Sequence, residues 1–137
     1  LVFEECQIVF NNAPAMDVLM SFFSEMRKFG LKMICVTQLP NAVLSHPDAS
    51  KLFENSGIFV FLAQQAQNQD TLARMFKLSD SQYDRLSAGA PKGTGLVVVD
   101  GLKIAMNNRI DPKNPLYEVW NTDPDKYAAK LKAARAV

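Results

Sequence analysis

Two small groups of side chains have the types and the placement to do chemistry together. The apolar run Leu1-Val2-Phe3 stops at two adjacent acids, Glu4 and Glu5. A second apolar run, Met33-Ile34-Cys35-Val36, stops at Thr37 and Gln38 before Pro40. In a sheet of parallel strands, ligands sit beyond the carboxyl ends of the strands, so both groups fall where a site would form. Adjacent residues of a strand face opposite ways, so the two acids share one target only if the strand is ending there. They would then have different work. One carboxylate can hold a magnesium ion, usually through water. The other can orient an attacking water as a base. Gln38 can hydrogen-bond a phosphate oxygen or that water. The bland reading of the same residues is a solvated strand end and a turn amide, and residue types alone leave both open.

The surrounding elements must position these residues. An apolar run bounded by charge suits a buried strand opening into a site. Asn11 to Pro14 is turn material, with Asn12 as a helix N-cap and Pro14 in the first turn. Leu19, Phe22, Phe23, Met26 and Phe29 then fall on one broad helical face, and Gly30 fits the position just past the helix. With Met16 and Met20 they read as core. A short helix is expected over Ala49–Glu54, and Ile58 to Leu62 reads as another buried strand, rich in β-branched and aromatic residues. Asp70 to Phe76 suits a helix, and Ser79-Asp80-Ser81-Gln82 is a capping-box pattern that opens the next. Asp100-Gly101 between the runs Leu96 to Val99 and Leu102 to Met106 is a type I′ hairpin signal. Asp123-Pro124 would open a terminal helix with Tyr127, Leu131 and Ala134 on one face and Lys126, Lys130 and Lys132 exposed. This alternation predicts an α/β fold with a mainly parallel sheet, plus a β-hairpin near residues 95–106.

Composition removes several classes. The 137 residues are 48% hydrophobic and 21% charged, which suits one domain with a real core. Fifteen basic against fourteen acidic residues leave a net charge of +1, with no global footprint of a nucleic-acid binder. The basic tail from Lys126 to Arg135 reads as a solvated helix face, with contact to DNA or a partner as the minority reading. No apolar run approaches the roughly 20 residues that span a bilayer, and no basic-led hydrophobic leader is visible. Cys6 and Cys35 make no disulfide framework, suit small core residues, and point to a cytosolic setting. The single histidine, His46, argues against His-rich zinc sites and a His-dependent triad. Ser45-His46-Pro47-Asp48 is too compact for one and reads as a turn. Arg109, near the hairpin, reads as surface. The chain opens within a strand-like run and without an initiator Met, which reads as a piece of a larger protein.

An apolar strand ending in two acids resembles a Walker B element. Ile34-Cys35-Val36-Thr37-Gln38 resembles a sensor strand with a Thr-Gln ending, and Arg27-Lys28-Phe29-Gly30 closes the helix between them. With Thr37-Gln38-Leu39-Pro40, the pattern is similar to the C-terminal motor half of the conjugative-transfer ATPases of type IV secretion systems. These are hexameric P-loop ATPases of the RecA-like, DNA-translocase group. Weaker likeness continues through Leu52-Phe53-Glu54-Asn55, Phe76-Lys77-Leu78-Ser79, Gly93-Thr94-Gly95 with the hairpin, and Leu116-Tyr117.

The resemblance implies that residues 1–137 are the C-terminal part of a P-loop ATPase domain with partial RecA-like layering, using ATP and Mg2+. Glu5 would match the catalytic glutamate that polarises the water, and Glu4 the position of the magnesium-site aspartate. Thr37 would lie beside the nucleotide, and Gln38 would match the phosphate-sensing glutamine. Arg27 would match a finger reaching the neighbouring subunit's nucleotide, worth about 10³–10⁵ in rate where such fingers are well studied. Without the resemblance, Arg27 reads as a helix-end arginine favoured by the dipole. Implied partners are other copies in a ring, a hexamer, together with secretion-channel or inner-membrane components and DNA. The implied location is cytoplasmic, at the inner face of the cell membrane.

Two departures matter. Glu4 is one methylene longer than aspartate, which alters its reach to a magnesium shell that demands near-octahedral placement. No G-x-x-x-x-G-K followed by Ser or Thr occurs, so the phosphate cradle is expected upstream of Leu1. Gly93-Thr94-Gly95 is no substitute, because Lys92 precedes it and an apolar strand follows. The family's Walker A strand lies between the sensor strand and the Ile58 strand. This chain alone is therefore expected to have a gap in mid-sheet, to bind nucleotide weakly, and to lack independent turnover. A rearranged sheet or pairing with another chain is expected to follow. The alternatives are a RecA-like DNA translocase or packaging motor using the same residues, and a non-catalytic α/β interaction domain whose acids are surface charges.

Overall fold

The first strand, β1 (Val2–Phe3), is two residues long because charge and a tight turn follow at once. It pairs in parallel with β2 (Ile34–Cys35), in the register Val2↔Ile34 and Phe3↔Cys35. Backbone bonds from Ile34 N to Leu1 O (2.9 Å) and from Val36 N to Phe3 O (2.9 Å) complete this short ladder. The structure is a computed structural model that describes residues 1–120. It divides into two units, Leu1–Met106 and Asn107–Val137. The helix expected from Asp123 onward lies outside the described residues.

The connection from β1 to β2 carries most of the first core. A 3₁₀ helix, Cys6–Asn11, leads into α1 (Ala13–Ser24). Asn12 caps α1 as expected, its Oδ1 accepting from Ala15 N at 3.0 Å. Met16 and Leu19 are buried, with Met20 and Phe23 packed beside them at helical spacing. Cys6, Phe10, Val43 from α2 (Pro40–Leu44) and Leu52 from α3 (Ala49–Glu54) complete the cluster. Phe29 corrects the expectation of a continuous apolar face, since it is 72% exposed. After Ser24 the chain tightens into a second 3₁₀ turn, Met26–Phe29, which shifts the angular phase of the side chains. Gly30, at φ 81°, ends that turn in the left-handed region that glycine enters freely.

The second sheet has three strands in the order β3 (Ile58–Leu62), β4 (Thr94–Val99), β5 (Leu102–Asn107). β3 and β4 are antiparallel, from Ile58↔Val99 to Leu62↔Gly95. The expected hairpin is present, with Asp100 and Gly101 at φ 49° and 78°, the positive pair a type I′ turn needs. Between β3 and β4 run α4 (Ala66–Phe76) and α5 (Asp80–Asp84). Ser79 forms the expected capping box with Gln82. Leu72, Leu86 and Leu96 form the second core, with Phe61, Phe76 and Leu78 packed against them. Phe76 meets Phe61 and Phe59 edge-on, at centroid distances of 4.8 and 5.0 Å.

The chain is thus a mixed helix and strand fold, and the expectation of a mainly parallel sheet is corrected. Among the described residues a parallel two-stranded sheet and an antiparallel three-stranded sheet stand apart. The reason lies in the 63–93 connection. Gln64 N bonds Leu86 O at 2.7 Å, so α4 and α5 return the chain to the end where β3 finished, and β4 must run back. β3 is also less buried than expected. Phe59 and Phe61 face the core, while Ile58, Val60 and Leu62 are 63%, 56% and 52% exposed on the other face. In the second unit, Asn114 Oδ1 accepts from Leu116 N at 2.9 Å at the start of α6 (Pro115–Trp120).

Candidate functional site

The tip of β1 turns sharply at the acids. Glu5 sits at φ 53° and ψ 40°, a left-handed conformation that costs a non-glycine residue about 1–2 kcal/mol. Its neighbours hold it there. Cys6 N donates to Val36 O at 3.0 Å, and Ile8 N donates to Glu5 O at 3.0 Å. Strand alternation is therefore broken between the two acids. Glu4 is exposed and makes no hydrogen bond or ion pair among the described residues. Glu5 is half-buried and faces the tip of β2.

That tip brings the predicted residues together. Gln38 Nε2 donates to Glu5 Oε1 at 2.8 Å. Thr37 is half-buried and makes no hydrogen bond to Glu5. Its Oγ1 donates to Gln7 Oε1 at 2.7 Å and accepts from Leu39 N at 3.0 Å. Gln7 Nε2 donates to Glu5 Oε2. Each Glu5 carboxylate oxygen therefore accepts an amide hydrogen, one from each side. The sequence reading missed Gln7. An amide two positions past an acid reaches back only if the backbone curls at the acid, and a left-handed glutamate is not legible from residue types.

The other candidates lie differently. Arg27 is in the Met26–Phe29 turn, exposed, and bonds neither Glu5 nor Gln38. Arg109 is exposed. The Ser45–Asp48 segment is a local turn, as expected. His46 Nδ1 accepts from Asp48 N at 3.1 Å, and Asp48 Oδ1 takes a 2.6 Å hydrogen bond from Lys51. That bond holds the Asp48 carboxyl below its usual range and the Lys51 ammonium above its own. Cys6 lies in the first core with Cys35 packed against it. The neighbouring Cys6 thiol, together with burial, pushes the Cys35 thiol well above its ordinary value.

Among the described residues no cluster of three or more His, Cys, Asp or Glu could enclose a metal. Glu4 nonetheless fits an outer, water-mediated magnesium contact, being an uncommitted oxygen donor beside the Glu5 turn. The sequence contains no G-x-x-x-x-G-K followed by Ser or Thr that could cradle a phosphate. Two shallow hollows of about 340 and 320 Å³ flank α2 and α1, and neither includes Glu5 or Gln38. No helix among the described residues is long and apolar enough to cross a membrane.

No protein-family model and no curated protein matches the sequence. The structure is similar to that of VirB4 of Thermoanaerobacter pseudethanolicus, with a TM-score of 0.69 and 24% sequence identity. The match covers 82% of this chain and 31% of that one, so the chain spans under a third of the VirB4 length. The resemblance to type IV secretion ATPases expected from the two strand tips therefore holds at the level of the fold.

Proposed function

We propose that residues 1–137 are the C-terminal part of the P-loop ATPase domain of a type IV secretion or conjugative-transfer motor. The observation that carries this reading is the Gln38–Glu5 hydrogen bond, 2.8 Å across two parallel strand tips, in a chain whose fold is similar to VirB4. A base and a phosphate sensor must converge on one reacting group, and these side chains converge.

In this reading Glu5 accepts a proton from the attacking water, and Gln38 turns between Glu5 and the terminal phosphate. Thr37 fixes the backbone at the same tip through its bond from Leu39 N. Glu4 would hold Mg2+ through water, and the metal, when bound, neutralises charge on the phosphate oxygens. Arg27, exposed and free of ion pairs among the described residues, would reach the nucleotide of the next subunit in a hexameric ring. The phosphate cradle would come from an upstream segment of the intact protein, whose strand would complete a RecA-like layer. The motor would work in the cytoplasm at the inner face of the membrane, against channel components, with DNA as a contact. A DNA translocase or packaging motor would use the same residues.

The test compares ATP hydrolysis by the intact protein with that by residues 1–137 alone. The expected result is turnover by the intact protein and none by the isolated chain. An intact protein that neither binds nor hydrolyses ATP would leave the non-catalytic interaction domain as the correct reading.

A further inference from the structure

We infer that Gln7 is a positioning residue for the Glu5 carboxylate, tying it to the Thr37 hydroxyl on the neighbouring strand tip. The inference rests on the reading of Glu5 as the base, and it adds a residue to that site.

The argument is one of donors and acceptors. A carboxylate can only accept, so the amide nitrogen of Gln7 must face Glu5 Oε2. The amide oxygen of Gln7 then points the other way and needs a donor. Thr37 Oγ1 supplies it at 2.7 Å, which commits the hydroxyl hydrogen. The hydroxyl oxygen is left to accept, and Leu39 N donates to it at 3.0 Å. The polarity of this relay runs one way from a backbone N–H to the carboxylate, and no member is left unpaired. It also fixes the Gln7 amide orientation without ambiguity.

The two arms that hold Glu5 differ. Gln7 and Thr37 are half-buried, and their arm ends on a backbone group. Gln38 is exposed, and its Nε2 is bonded only to Glu5 Oε1. The Gln7 arm is therefore the fixed one and the Gln38 arm the exchangeable one. When Gln38 turns to a ligand, Oε1 is freed toward water while Oε2 stays tied. Gln7 thus sets where the free lone pairs of Glu5 point, and a base displaced by an ångström loses much of its efficiency.

The experiment measures steady-state ATP hydrolysis by the intact protein with Gln7→Ala, Thr37→Val and the double substitution, alongside Glu5→Gln. Gln7→Ala is expected to lower kcat about tenfold or more, as loss of a hydrogen bond to a charged group does, with KM for ATP and the melting temperature little changed. The double variant is expected to lose clearly less than the sum of the two single losses, because Thr37 acts on Glu5 through Gln7 while its bond from Leu39 N is a separate contribution. Unchanged kcat in Gln7→Ala, or a fall that tracks a lowered melting temperature, would overturn the inference. So would additive losses in the double variant. If Glu5→Gln abolishes turnover while Gln7→Ala leaves it intact, the Gln7 assignment alone fails. If Glu5→Gln leaves turnover intact, the base reading fails and takes this one with it.

Discussion

Gln38 and Glu5, thirty-three positions apart in sequence, meet through a 2.8 Å hydrogen bond between the amide nitrogen and Oε1. The contact exists because β1 and β2 are parallel neighbours in the register Phe3↔Cys35, which sets their carboxyl ends side by side. The left-handed turn at Glu5 then swings its carboxylate toward the second tip.

The second core depends on residues with no exposure. Leu86 is fully buried against Leu72 and Leu96. Leu86→Ala should destabilise the chain by about 2–5 kcal/mol, combining lost burial with a residual cavity. Chemical denaturation checks this, and a loss below about 1 kcal/mol would mean that the site collapses without cost.

Gly95 has a different role. A Cβ built at this position would overlap the carbonyl oxygen of Phe61 on the paired strand. The overlap is with backbone, so the β3–β4 pair must separate to admit it. Gly95→Ala should therefore expose the β3 amides to hydrogen exchange while those of α1 stay protected. Equal protection of the β3 amides in Gly95→Ala and the unsubstituted protein would show that the strands tolerate the methyl group.

Acid should loosen the turn around His46. The Lys51 ammonium holds Asp48 below its ordinary carboxylate value of 3.8, so the folded state is the stronger acid. The contribution to stability is present above that value and fades as pH falls through the lower folded one. Both partners are at the surface, so the effect is small and screened by salt. Asp48→Asn should flatten the acid limb of a melting-temperature profile slightly, and more visibly at low ionic strength. An unchanged limb would show that the pair contributes nothing.

What was legible in the sequence follows the range of the chemistry. Asn12 as a cap, the Ser79–Gln82 box and the Asp100-Gly101 hairpin are local events, and each residue type forces its own geometry. The two strand tips were legible because charge and amide interrupt apolar runs. The direction of β4 was not, since it depends on where α4 and α5 return the chain. Phe29 was misplaced because a switch from α to 3₁₀ winding leaves no mark on residue spacing. Gln7 was missed because its role depends on one backbone dihedral, that of Glu5.

The central claim is that the Glu5 carboxylate is a base acting on a water at a triphosphate. Single-turnover ATP hydrolysis by the intact protein, wild type against Glu5→Gln, tests it most directly, with nucleotide affinity measured on the same samples. The expected result is a fall in the hydrolysis rate of about 10²–10⁴, with the dissociation constant nearly unchanged. Hydrolysis at the wild-type rate in Glu5→Gln would contradict the claim.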